Sequence, residues 1–396
     1  MQLNKHFLKL ISFLAVLALV SPTYGENPDQ NLEATANRMV TQSAAIREGD
    51  LVLIQGQPED MRLLENIAIE VRKLGAFPLV NVTTDQLERR MFTDVPSKFD
   101  AQTPLMHMKL AETINALITV QREENPRLLA DVAPERIAAH HKTMLQIMQV
   151  MMNRNVRQVH LGNGLYPTEA TARQFGLPLD ELTSIFWKGV NVDYMRLQAV
   201  ADTVRNRLAR GDTVRITDAN GTDFQCRIQK RPVMINDGVI SNDDVRAGKA
   251  ACEVWLPAGE VYCTVVPNTA EGTIVIDRHY FNGQEIRDLR LTFKNGRLTN
   301  MTAKSGLEHL KQLYDASGRG KDQFAAIDIG VNPDVRIPEN SRMAAWMASG
   351  MISVVIGNDT WAGGENNCEF SLATHIRRGT LTVDNKNLVD KGELTP

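Results

Sequence analysis

Between Leu51 and Leu161, short apolar runs alternate with stretches of helical spacing, and this alternation narrows the choice of fold more than any other feature of the chain. The runs are Leu51–Gln55 (LVLIQ), Phe77–Val82 (FPLVNV), Ala116–Val120 (ALITV) and Val156–Leu161 (VRQVHL). Near-continuous apolar strands need cover on both faces, and helical connections supply it. Asp60–Leu74 has helical spacing through Met61, Leu64, Ile67, Ile69, Val71 and Leu74. Thr83-Thr84-Asp85 is a helix-cap signal after the second run. Pro134–Met152 reads as a helix, and Leu179–Ala209 as a long helical stretch interrupted near Gly189. Ala36–Glu48 also looks helical, behind a polar leader at Asn27–Thr35.

The pattern changes near Gly211. Thr213–Thr217, Asp223–Gln229, Thr273–Tyr280 and Arg287–Phe293 read as short alternating strands. Asn220-Gly221, Asn282-Gly283 and Asn295-Gly296 are hairpin turn signals. One helix, Gly306–Ala316, interrupts them. The expected class is α/β: a parallel-sheet α/β domain over residues 36–210, followed by a β-rich α+β domain over residues 211–396.

The first 25 residues have the pattern of a secretory signal peptide. Lys5 and Lys9 form a basic region, Leu10–Val20 is apolar, and Thr23-Tyr24-Gly25 places small residues at a cleavage site. The apolar stretch is shorter than the ~20 residues that span a bilayer, and no later segment is apolar enough. The expected location is secreted or periplasmic, with no membrane span after cleavage. Cys226, Cys252, Cys263 and Cys368 suit either disulfides or small buried hydrophobes. A Pro257-Ala258-Gly259 turn between Cys252 and Cys263 could bring that pair together. No CxxC spacing points to structural zinc.

The composition is that of a globular chain, with 43% hydrophobic and 23% charged residues. A net charge of −3 and the lack of a polybasic run argue against nucleic acid as a partner. No HExxH, GxSxG or Walker loop is present. Gly318-Arg319-Gly320-Lys321 reads as a solvated turn, His140-His141 as surface histidines on a helix, and Met144–Met152 as core. The informative run is Val254–Pro267 (VWLPAGEVYCTVVP), where a Pro-Ala-Gly turn presents Glu260 at the start of an apolar strand.

With Glu260 at its centre, the chain resembles the thermophilic-type metallo-aminopeptidases, the aminopeptidase T or leucyl aminopeptidase-like family. Relatives of that family include iron-dependent dihydroxypyridine dioxygenases. The resemblance runs through Asn125-Pro126, Val132-Ala133-Pro134-Glu135-Arg136, Tyr166-Pro167-Thr168 and Val192-Asp193-Tyr194. It continues through Val214-Arg215-Ile216-Thr217, Gly221-Thr222-Asp223 and Leu256–Val261. It ends with Phe293–Arg297, Ile329–Pro333, Gly357-Asn358 and Gly363-Gly364. It implies a peptidase activity, a pair of divalent ions (Zn, Co or Mn) and a homodimer.

Active members of that family hold their two ions with two glutamates, two histidines and an aspartate, and add a catalytic tyrosine. Here the first glutamate is Glu260. The second falls on Ala326, the histidines on Ser353 and Ser371, the aspartate on Ala373, and the tyrosine on Thr360 beside Trp361. Serine and alanine do not replace imidazole or carboxylate as ligands, so metal is expected to be weakly held or absent. Two functions stay open at this point. One is a hydrolase with a site rebuilt from Glu260, Asp328, Asp359, Glu369 and His375. The other is a non-catalytic protein that binds a peptide or small molecule in the old cleft.

The leader yields the first prediction. Intact-mass measurement on exported protein is expected to give a mature N-terminus near Glu26; retention of Met1 would overturn the signal-peptide reading.

Overall fold

A computed structural model describes residues 28–395, and the signal-peptide segment lies outside the described residues. The first part of the chain runs α1 (Pro28–Arg38), β1 (Leu51–Gly56), α2 (Met61–Lys73), β2 (Phe77–Val82), α3 (Asp85–Thr93), α4 (Leu105–Ala111), β3 (Ala116–Val120), α5 (Pro134–Asn153) and β4 (Arg157–Leu161). Three helices follow: α6 (Glu169–Phe175), α7 (Leu179–Val190) and α8 (Tyr194–Arg210). All four apolar runs are strands, and the break near Gly189 separates α7 from α8. Thr84 caps α3, its side chain accepting from the Leu87 N–H. The leader expected to be merely polar is part of α1. Its last turn runs into buried Met39 and Val40, and Asn37 donates to Glu70 on α2 at 2.7 Å. That packing, absent from local spacing, makes the segment helical.

Strands then dominate. In order they are β5 (Thr213–Asp218), β6 (Thr222–Arg227), β7 (Val233–Asn236), α9 (Asn242–Ala247), β8 (Glu253–Leu256), β9 (Glu260–Thr264), β10 (Glu271–Phe281), β11 (Gln284–Lys294) and β12 (Arg297–Thr302). After α10 (Glu308–Ala316) come β13 (Phe324–Gly330), β14 (Ile352–Gly357), β15 (Ser371–Ile376), β16 (Thr380–Val383), β17 (Lys386–Asp390) and β18 (Glu393–Leu394).

Among the described residues three sheets result. A parallel sheet has the order β2-β1-β3-β4-β8, so its fifth strand comes from beyond Gly211. An eight-stranded antiparallel sheet has the order β12-β11-β10-β6-β5-β16-β17-β18. A second five-stranded sheet, order β15-β14-β13-β9-β7, is antiparallel throughout. Phe224 on β6, Phe293 on β11 and Phe324 on β13 pack with ring centroids 4.6–5.5 Å apart, fastening the eight-stranded sheet to the second five-stranded one. All four cysteines are buried free thiols, and Cys252 and Cys263 are not joined.

The loops after β1, β3 and β4 converge on a buried carboxylate. Asp60 is 4% exposed; its Oδ1 accepts from the Tyr166 hydroxyl at 2.7 Å and lies 3.2 Å from Arg122 Nη1. Burial raises the Asp60 pKa, while Tyr166 and Arg122 oppose that rise. Removing the guanidinium leaves a buried charge unpaired. Arg122→Ala is therefore expected to cost roughly 3 kcal/mol at pH 8. The loss should shrink toward pH 4. The folded variant's Asp60, its pKa raised further, then takes up a proton more readily than the unfolded chain, which favours the fold as pH falls. Urea unfolding at the two pH values checks this.

Candidate functional site

Glu260 follows directly on the turn that carries the chain from β8 to β9. Gly259 in that turn has φ +125°, and a Cβ there would lie 2.6 Å from the Asn332 Cβ and 2.8 Å from its backbone nitrogen. Asn332 is fully buried, and its side-chain amide donates to Ala258 O at 2.6 Å and Gly189 O at 3.1 Å. Val331 N–H donates to Gly259 O, and Gly259 N–H donates to Asn236 O. The turn is thus tied to α7, β7 and the end of β13 at once, which fixes where Glu260 emerges.

Strand pairing sets the neighbours. On one sheet face, Met234, Tyr262, Asp328, Ser353 and His375 form a row across β7, β9, β13, β14 and β15. Thr264, Ala326, Val355 and Ala373 form the next row. Glu260 lies in the row on the other side, opposite Asn236 and Gly330. Gly330 has to be small: a Cβ there would meet Ala348 O at 2.1 Å and Trp346 O at 2.5 Å. Its lack of a side chain lets the Trp346 segment settle against the sheet.

Glu260 and Asp328 share a cavity of about 180 Å³ with Tyr262, Trp255, Trp346 and Trp361. Three of the chain's four tryptophans meet there. Trp361 stands nearly perpendicular to Trp255 (88°, centroids 6.4 Å apart) and at 75° to Trp346 (6.2 Å), and is 5.1 Å from Tyr262. Its indole N–H donates to Asn358 O at 3.1 Å.

The carboxylates are deeply buried, Glu260 at 5% exposure and Asp328 at 1%. Glu260 Oε1 accepts from the Asn163 amide at 2.9 Å, and Oε2 accepts from the Asn236 amide. Burial pushes the Glu260 carboxyl up to about 7 against the pull of those two amides. Burial and the Glu260 charge push Asp328 well above the usual carboxylate range. Asp328 Oδ1 has no hydrogen-bond partner.

The other expected positions separate. Ser371 and Ala373 line the same cavity, and Ala326 packs in the apolar cluster of Tyr262 and Val355. Ser353 is turned to His375, Oγ to Nδ1 at 2.8 Å, and burial lowers the His375 pKa to about 3, so that the ring is neutral. The Thr360 hydroxyl donates to Asn358 Oδ1. Asp359 accepts from the Asn366 N–H within the following turn, and Glu369 accepts from the Gly318 N–H beside a different groove. The rebuilt five-residue site is therefore corrected: only Glu260 and Asp328 of that set meet. Among the described residues, no three His, Cys, Asp or Glu side chains are grouped to hold a metal ion. Two carboxylates among indole rings do not fit the donor set of a divalent pair.

Sequence reasoning missed Asn163 and Asn236, which lie on separate loops and strands, and missed that the tryptophans converge. Part of the signal was legible. Strand alternation puts Tyr262 on the same face as Glu260, and Trp361 follows the tyrosine position directly.

Comparison with known proteins agrees with this architecture. The family model of thermophilic metalloproteases (M29) matches residues 28–320, a stretch that includes Glu260 and ends before β13. The sequence is 25% identical over 312 residues to aminopeptidase 2 of Geobacillus stearothermophilus, covering 72% of this chain and 73% of that protein. The fold superposes on wild-type AmpT from Thermus thermophilus with a TM-score of 0.70 at 16% identity, over 93% of this chain and 99% of the other. It also superposes on 2,5-dihydroxypyridine dioxygenase from Pseudomonas putida KT2440, with a TM-score of 0.57 at 14% identity, over 93% and 98%. At those identities the two structures show a shared fold alone. With the family match spanning well over half its length, the chain belongs to the thermophilic metalloprotease family M29.

Proposed function

We propose that this chain is an exported, non-catalytic member of the family that binds a small ligand in the cleft where active relatives hold metal. The carrying observation is the cavity itself. Four aromatic rings and two buried carboxylates occupy it, and Ala326, Ser353, Ser371 and Ala373 stand at ligand positions. Indole, hydroxymethyl and methyl groups do not neutralise two close divalent ions, whose mutual repulsion demands several anionic ligands. Support for export comes from the leader sequence.

The family membership and the retained Glu260 favour a second reading, a peptidase working through a remodelled site. Elemental analysis separates the two. Protein purified without added metal and then dialysed is expected to carry substoichiometric zinc, cobalt and manganese. It is also expected not to cleave aminoacyl substrates when those ions are restored. A tightly held metal pair with turnover abolished by Glu260→Ala would instead establish the peptidase.

Assembly as a homodimer belongs to the same proposal. The edge strand β2 exposes Phe77 and Leu79 on one face and Val80 on the other, an apolar edge suited to pairing with a second copy. Analytical ultracentrifugation is expected to give a dimer mass, and Leu79→Lys to shift it toward monomer. A monomer at every concentration tested would remove this part.

A further inference from the structure

The cavity's two chemistries narrow the ligand class. We propose that it takes a small organic ammonium cation bearing methyl groups, with the cationic head against Trp255, Trp346 and Trp361 and the charge balanced by Glu260 and Asp328. This rests on the reading of the cleft as a binding site.

Aromatic faces attract cations through their quadrupole, tryptophan most strongly, and rings set at steep angles form walls around one head group. The 88° and 75° angles of Trp361 to Trp255 and Trp346 have that form, with Tyr262 packed 5.1 Å from Trp361 behind them. A stack of parallel indoles would instead bury its faces against itself.

The carboxylates add sign. Among the described residues no Lys, Arg or His lines the cavity, so no cationic group in the wall balances the acids. Asp328 Oδ1 is buried and makes no hydrogen bond, so an entering cation can lie against it without displacing a partner. Glu260 is different: both of its oxygens are already held by asparagine amides, so it is fixed in place as an anchor. An anion is disfavoured by the same acids. A neutral apolar ligand gains no charge complementarity from the two acids.

Size agrees. The cavity measures about 180 Å³, and cavities of roughly 150 Å³ admit benzene. A tetramethylammonium or choline head group falls in that range. The aromatic walls favour methylated nitrogen over a bare ammonium, which holds its water more tightly and presents less apolar surface.

Tryptophan fluorescence titrations at fixed ionic strength test the proposal on the purified mature protein. The probes are tetramethylammonium, choline, the uncharged choline isostere 3,3-dimethylbutan-1-ol, and leucinamide. Tetramethylammonium and choline are expected to give saturable changes, at least tenfold tighter than the isostere and leucinamide. Trp361→Leu and Asp328→Asn should each weaken choline binding about tenfold or more, with cooperative unfolding retained. Should either variant fail to fold, the isostere comparison on the wild type still decides. Equal binding of choline and its isostere would overturn the proposal by showing an apolar pocket without charge preference. Leucinamide binding as tightly as choline would overturn it in favour of a primary ammonium, such as a peptide N-terminus. No saturable binding of any probe to a metal-poor, inactive preparation would overturn this inference alone. A metal pair with peptide turnover in the same preparation would overturn the reading beneath it.

Discussion

A single turn, Pro257-Ala258-Gly259, holds the parts of this molecule in register. It ends the last strand of the parallel sheet and begins the strand that carries Glu260 in the second five-stranded sheet, with no linker between. Buried Asn332 answers its carbonyl and that of α7 with one side-chain amide, and the Gly259 backbone is bonded on both sides. Such a junction leaves the two sheets little freedom to slide, because any shift strands buried polar groups without partners. The cavity inherits that rigidity. Trp255 comes from the strand before the turn, and Glu260 and Tyr262 from the strand after it.

Within that frame, one face of the second five-stranded sheet brings two buried carboxylates together with aromatic walls. Glu260 and Tyr262 on β9 and Asp328 on β13 line that space. Of the positions that the resemblance assigns to metal ligands, Ala326 packs as core beside Val355 and Ser353 turns to His375. Glu260 remains, but its charge is spread over two asparagine amides, neutral donors that stabilise a carboxylate without fixing a cation. Gly330 lets the Trp346 segment approach, and indoles bound the cavity.

Much of the fold was legible because it is written locally. Apolar runs, hairpin dipeptides and the Thr84 cap each specify their own element, and the change of pattern at Gly211 marks where antiparallel strands take over. The helix at Pro28–Arg38 was not legible, since its burial against α2 involves residues some thirty positions away. Nor was the return of β8 to the parallel sheet, a pairing of Gln158–Leu161 with Glu253–Leu256 that no window of sequence contains. At the site, Glu260 could be found from its turn. Asp328 could be noted but not placed, because its meaning depends on register with Tyr262. The tryptophans at 255, 346 and 361 are distant in sequence and become one feature only when the sheet is assembled.

The four cysteines have a consequence of another kind. Each is a buried thiol, and burial raises the pKa of every one. Cys226 lies on β6 in the eight-stranded sheet, Cys263 on β9 in the second five-stranded sheet, and Cys252 immediately before β8 in the parallel sheet. A thiol reagent dissolved in water reacts with such groups only when the surrounding structure opens. The chain thus carries an intrinsic stopwatch for each of its three sheets. Alkylation followed by peptide mass mapping would read the opening rate of each layer separately, without any residue being substituted.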